Sequence, residues 1–131
     1  MRRQRHGTQG QEQRQGKARA GSGRLRLIGG QFRRRLLPVL DHPGLRPTPD
    51  RVRETLFNWL ATEIDSHTRV LDLFAGTGAL GLEALSRGAG DVRFVEADRQ
   101  VAQQITRNLT TLDVAMPVSY THLTLPTIYS V

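Results

Sequence analysis

Val70-Leu-Asp-Leu-Phe-Ala-Gly-Thr-Gly-Ala-Leu-Gly81 is the stretch that decides the fold. Residues 70–74 read as a buried strand with one acid near its end, and Gly76-Thr-Gly-Ala-Leu-Gly81 reads as a glycine turn that opens a helix. Such a turn brings backbone N–H groups, the positive end of a helix and one carboxylate to a single point. A small ligand with both anionic and cationic groups suits that point.

Working outward, residues 79–87 predict a helix closed by Gly88, and Asp91-Val-Arg-Phe-Val-Glu96 predicts a second strand. Asp98 then caps a helix with Val101, Ile105 and Leu109 at four-residue spacing and Leu112 at its end. Strand, helix, strand, helix in this order gives the α/β class with a parallel sheet and right-handed crossovers. Two strands are evident, fewer than half of a doubly wound domain.

The glycine pattern alone fits a dinucleotide or S-adenosylmethionine. Asp72, four positions before Gly76, would repel a pyrophosphate but attract the ammonium of a methionine moiety. Phe74 and Ala75 offer a wall for a nucleoside, and Glu96 at the end of the next strand is placed to accept hydrogen bonds from ribose hydroxyls. The electrostatics favour S-adenosylmethionine, with an NAD-type domain as the rival.

Charge is unevenly placed along the 131 residues. Residues 1–37 hold eleven Arg/Lys and one acid, whereas residues 38–131 hold eight Arg and eleven acids, so the net +7 belongs to one end. A basic arm on a near-neutral domain suits a polyanion, most often nucleic acid. Residues 1–23 carry scarcely an apolar side chain and predict a disordered basic tail. Residues 24–37 predict a basic hairpin turning at Gly29-Gly30. Four prolines within residues 38–49 make residues 38–48 an extended connector. A helix over 49–62 follows, with Thr48 as N-cap, Pro49 first and Asp50 in the first turn. Val52, Leu56, Trp59 and Leu60 form its apolar stripe, leaving Arg51 and Arg53 outside it.

Other chemistries find no support. The absence of cysteine excludes disulfides, thiolate metal sites and a cysteine nucleophile. The four histidines are scattered, and neither a nucleophile elbow nor metal-ligand spacing occurs. No apolar run reaches the ~18 residues of a membrane span. The arginine-rich start has no apolar segment behind it, so a cytoplasmic protein is expected.

Residues 72–81 resemble motif I of Rossmann-type methyltransferases. Gly44-Leu-Arg-Pro-Thr-Pro-Asp-Arg-Val-Arg-Glu-Thr-Leu-Phe-Asn-Trp-Leu60 and Arg26-Leu-Ile-Gly-Gly-Gln-Phe-Arg33 resemble the RsmD family, bacterial enzymes that methylate the exocyclic N2 of a guanine in 16S ribosomal RNA. The resemblance runs from about Arg24 to Leu112 and implies a truncated Rossmann-like, S-adenosylmethionine-dependent methyltransferase fold preceded by a basic β-hairpin and a helix. It implies Asp72, Phe74, Ala75, Gly76, Gly78 and Glu96 as cofactor contacts. Arg46, Thr48, Arg51 and Arg53 would line the RNA-facing side, with a solvated helix face paired to Asp50 or Glu54 as the alternative for the helix arginines. Arg24, Arg26, Arg33, Arg34 and Arg35 would contact phosphates. The partner implied is 16S rRNA or the small-subunit particle, met by a monomer with no metal and no membrane.

The family's Asn/Asp-Pro-Pro-aromatic motif is absent, because no two of the six prolines are adjacent. No catalytic residue is therefore expected from this chain, which reads as an N-terminal fragment. Residues 113–131 do not resemble the family's continuation, and residues 119–131 look like a translated sequencing adapter. Three alternatives stay open: another methyltransferase, the dinucleotide domain, and a non-enzymatic RNA-binding module built on the basic arm.

Overall fold

The buried side chains gather along one face of a short parallel sheet, and everything else is arranged by what reaches that face. The structure is a computed structural model, and it describes residues 23–120. Expectations for residues 1–22 and 121–131 lie outside the described residues. Strands β1 (Arg24–Arg26) and β2 (Leu36–Pro38) form an antiparallel hairpin in which Leu25 faces Leu37. Helix α1 (Asp50–Trp59) follows the proline connector. Strand β3 (Arg69–Leu73), helix α2 (Ala79–Ser86), strand β4 (Asp91–Glu96), helix α3 (Arg99–Thr111) and strand β5 (Val118–Tyr120) complete the order. β3, β4 and β5 lie side by side in parallel, with Asp72 beside Phe94 and Phe94 beside Val118.

The core joins the hairpin's Leu25, Leu27, Phe32 and Leu37 to Phe57 of α1, Leu82 and Leu85 of α2, Val92 and Phe94 of β4, and Ile105 and Leu109 of α3. The predicted four-residue spacing in α3 is therefore its buried face. Asp98 caps that helix, accepting from the N–H groups of Gln100 at 2.8 Å and Val101 at 3.1 Å. Buried Asn108 ties α3 to the hairpin by donating to the Pro38 carbonyl at 2.9 Å.

Five expectations differ from what is observed. The hairpin is real, but residues 27–35 form its loop and Gly29-Gly30 is not a two-residue turn. Gly30 has φ +79°, and a Cβ there would lie 1.9 Å from the Ser86 carbonyl oxygen, so this glycine permits the hairpin to press onto α2. Pro49, not Thr48, occupies the N-cap of α1, and no side chain caps that end. The buried residues of α1 are Arg53 and Phe57; of the predicted stripe, Leu56 and Leu60 pack partly buried against the core, whereas Val52 and Trp59 are 51% and 76% exposed. A stripe of apolar letters locates an amphipathic helix but does not say which face finds a partner.

β3 is not a buried strand either. Val70 and Asp72 point with Val92 and Phe94 toward the helices, while Leu71 and Leu73 lie on the other face, 58% and 49% exposed. That face is bare among the described residues, and the edge of β3 away from β4 is unpaired among them. Finally, three parallel strands are present where two are evident in the sequence, because β5 continues the sheet beyond Leu112.

Candidate cofactor site and basic surface

β3 ends in an abrupt turn. Phe74 has φ +56°, a conformation that strains a bulky side chain and that clusters at functional sites. Gly76 and Gly78 follow at φ +58° and +80°, and α2 begins at once. Gly81 is required for a different reason: a Cβ there would sit 2.3 Å from the Phe94 ring, so only a glycine lets α2 lie this close to the sheet.

Two carboxylates fasten this loop. Asp72 Oδ2 accepts from the Gly81 N–H at 3.0 Å, and Glu96 Oε1 accepts from the Gly76 N–H at 2.9 Å. Glu96 Oε2 takes the Asp98 N–H at 2.7 Å, so both of its oxygens already serve the backbone. Asp72 Oδ1 accepts nothing from the described residues. Burial pushes the Asp72 carboxyl up to about 6, the Gly81 N–H pulls it back, and the nearby Glu96 charge pushes it further up. Phe74 stands half-exposed beside the turn and Ala75 is partly covered, its N–H tied to the Val95 carbonyl at 2.8 Å. The predicted set Asp72, Phe74, Ala75, Gly76, Gly78 and Glu96 thus lies along the ends of β3 and β4 and the turn between β3 and α2.

The connector passes over this turn. Leu45 lies 3.5 Å from where a Gly76 Cβ would be, and His42 Nε2 reaches Asp98 Oδ2 at 3.0 Å. The Asp98 carboxyl is held below its usual range by the Val101 N–H foremost, with the Gln100 N–H and His42 adding to this against some burial.

The arginines divide. Arg24, Arg26, Arg33, Arg34, Arg35, Arg46 and Arg51 are exposed, and Thr48 is partly buried. Arg53, expected to line an RNA-facing surface, is fully buried and must be reassigned. Its Nη1 donates to the Arg26 carbonyl at 2.8 Å and to Glu83 Oε1 at 3.1 Å, and its Nε donates to the Thr48 carbonyl at 2.9 Å. Asp50, the pairing partner considered as the alternative, accepts from Nη2 at 2.5 Å. Glu83 is equally buried, and it also accepts from the N–H groups of Ile28 and Gly29 and from Arg87 Nε. Arg87 in turn sits over the Phe57 ring, 5.4 Å from its centre. Sequence reasoning missed Glu83. The available signal was one acid inside the apolar run of α2, since a lone buried charge demands a partner elsewhere.

With this geometry in view, similar proteins become informative. A family model described as conserved hypothetical protein 95 matches residues 25–124. The chain belongs to this family, the RsmD family. The match runs beyond Leu112, where the resemblance in the sequence ends. Ribosomal RNA small subunit methyltransferase D of Escherichia coli K12 is 63% identical over 93 residues, covering 71% of this chain and 46% of that protein. The Haemophilus influenzae protein of the same name is 57% identical over 90 residues, covering 69% of this chain and 46% of that protein. The chain thus spans about half the length of these relatives.

The solved structure of yhhF from Escherichia coli matches with a TM-score of 0.70 at 53% identity, over 76% of this chain and 54% of that one. A more distant fold relative is the Pyrococcus abyssi tRNA (uracil-54, C5)-methyltransferase, solved with S-adenosyl-L-homocysteine, with a TM-score of 0.54 at 19% identity over 76% of this chain and 23% of that one. The fold is therefore Rossmann-like, of the methyltransferase kind, over the matched span. No helix among the described residues is long and apolar enough to cross a membrane, and no cluster of metal-ligating side chains occurs among them.

Proposed function

We propose that this chain carries the cofactor-binding half of an S-adenosylmethionine-dependent methyltransferase that acts on the exocyclic N2 of a guanine in small-subunit ribosomal RNA. The observation that carries the reading is the pair of carboxylates, Glu96 holding the Gly76 N–H in the turn and Asp72 holding the Gly81 N–H in the first turn of the helix it opens. A pyrophosphate approaching this loop would meet two acids, whereas a ligand with an ammonium and a ribose would meet acceptors. The names of the family relatives, which are ribosomal RNA methyltransferases, support the same reading.

The residues fit the cofactor piece by piece. Asp72 Oδ1 is the acceptor left for the methionine ammonium, and the remaining lone pairs of Glu96 receive the ribose hydroxyls. Phe74 and Ala75 wall the nucleoside, while Gly76 and Gly78 let backbone approach it closely. When bound, S-adenosylmethionine supplies an electrophilic methyl group on a sulfonium. What the chain adds is position, because orienting the methyl toward an incoming amine accounts for much of such a reaction. The exposed Arg24, Arg26, Arg33, Arg34, Arg35, Arg46 and Arg51, with Thr48, receive the RNA in this reading, giving salt-sensitive phosphate contacts. The acceptor amine has no partner in this sequence, since the Asn/Asp-Pro-Pro-aromatic set is absent.

Calorimetric titration with S-adenosylhomocysteine and with NADH tests the reading. Binding of the first without the second is expected. Tight NADH binding with no response to S-adenosylhomocysteine would return the site to the dinucleotide class.

A further inference from the structure

Arg53 and Glu83 are fully buried, and the proposed cofactor chemistry uses neither. An ion pair removed from water adds little net stability compared with apolar side chains of the same size, so its presence calls for another account. The account lies in what the pair holds. Glu83 Oε1 and Oε2 take the N–H groups of Ile28 at 3.0 Å and Gly29 at 2.9 Å. One turn on, the Ser86 carbonyl accepts from the Gln31 N–H at 2.7 Å, and Ser86 Oγ accepts from the Phe32 N–H at 3.0 Å. Arg53 closes the arrangement from α1 through its bonds to the Arg26 and Thr48 carbonyls.

Residues 28–32 of the hairpin are thereby hydrogen-bonded to the last turn of the helix whose first turn carries Gly81, the partner of Asp72, and Arg26 is held from α1. Apolar contacts of Leu25, Leu27, Phe32 and Leu37 can keep the hairpin nearby, but they are not directional. The hydrogen bonds of Glu83 and Arg53 fix its register. Arg26, Arg33, Arg34 and Arg35 all lie in or next to the fastened segment, and all four are exposed. We propose that Arg53 and Glu83 are positioning residues that lock the basic hairpin onto α2, making hairpin and glycine turn one rigid surface for a polyanion. This rests on the reading of the basic surface as the RNA-binding face.

The test replaces both charges at once, Arg53→Met with Glu83→Leu, an exchange that commonly preserves a fold. The full chain is titrated with a labelled stem-loop RNA at several salt concentrations and with S-adenosylhomocysteine. RNA affinity is expected to fall by roughly tenfold with a shallower salt dependence, because fewer phosphates are neutralised together. S-adenosylhomocysteine affinity and the far-ultraviolet spectrum stay as in the wild type. Equal RNA affinity and salt slope in both chains overturns the proposal. A parallel loss of RNA binding, S-adenosylhomocysteine binding and helix content also overturns it, by reducing the pair to a fold determinant. A wild-type chain without salt-dependent RNA binding removes the basic-surface reading, and the proposal with it. Should the double variant not fold, Arg53→Lys decides. It keeps a cation beside Glu83 but lacks the fork that reaches the Arg26 and Thr48 carbonyls. Weaker RNA binding is then expected, and unchanged RNA binding overturns the proposal.

Discussion

Asp72 is held in a position that costs stability when it ionises. Burial raises its carboxyl to about 6 despite the Gly81 N–H, so the folded chain keeps the proton more tightly than the unfolded one. The contribution to stability is full below the ordinary carboxylate value and is lost as the pH rises through about 6. Asp72→Asn keeps an oxygen for Gly81 and cannot ionise. Its melting temperature is expected above that of the wild type at neutral pH, with the gap closing on acidification below about 4. A constant gap from acid to neutral pH would contradict this. If Asp72 meets the methionine ammonium, S-adenosylhomocysteine affinity in the wild type rises through the same window and is lower in Asp72→Asn. Replacing Glu83 by its amide is expected to destabilise the fold. Glu83→Gln puts an amide donor against N–H donors and leaves Arg53 short of its partner, so a loss of about 3–5 kcal/mol in denaturant unfolding is expected. Both acids were visible in the sequence, but only Asp72 had a motif to give it meaning.

At the scale of elements, α2 is the piece on which the others depend. Its N-terminal half meets the sheet through Gly81, and its C-terminal half meets the hairpin through Glu83 and Ser86. Gly81→Ala would drive a methyl into the buried Phe94 ring, at an expected cost of about 1–3 kcal/mol. Gly81→Ala combined with Phe94→Leu is expected to cost less than the sum of the single changes, read as coupling in a double-mutant cycle. The strand-turn-helix order, β4 and the buried face of α3 were legible, because period and punctuation are local signals. α1 was legible as a helix, but its face was only half legible: Leu56 and Leu60 pack against the core, Val52 and Trp59 do not. Arg53 and Phe57 turn inward because Glu83 on α2 and Arg87 just past its end wait for them, across 30 residues of chain.

At the scale of the molecule, the sheet is covered on one face only among the described residues. Leu71, Leu73 and Phe74 are about half exposed, and Trp59 more so, within the described residues. A bare apolar face beside an unpaired strand edge favours self-association. The 131-residue chain is expected to aggregate in size-exclusion runs, and Leu71→Lys with Leu73→Glu to raise the monomer fraction without lowering the melting temperature. A sharp cooperative melt of monomeric wild type would contradict this. The basic surface is tested at the same scale. Arg33, Arg34 and Arg35 changed together to Gln leave the core untouched and should lower the slope of log affinity against log salt by roughly 0.9 for each phosphate no longer neutralised. Removing the whole hairpin is a poor substitute, since it also strips four buried side chains.

The sequence by itself determined the α/β class, the glycine turn, the acids that flank it and the concentration of arginine at one end. These are set by neighbours within a few residues, where steric and periodic rules act directly. Only the tertiary structure decided that Arg53 is internal, that Glu83 is its partner, that the hairpin rests on α2, and that one face of β3 is open among the described residues. Each of these depends on a group far along the chain arriving at the same place. A buried charge or a bare leucine is defined by what arrives, and no local pattern carries that information.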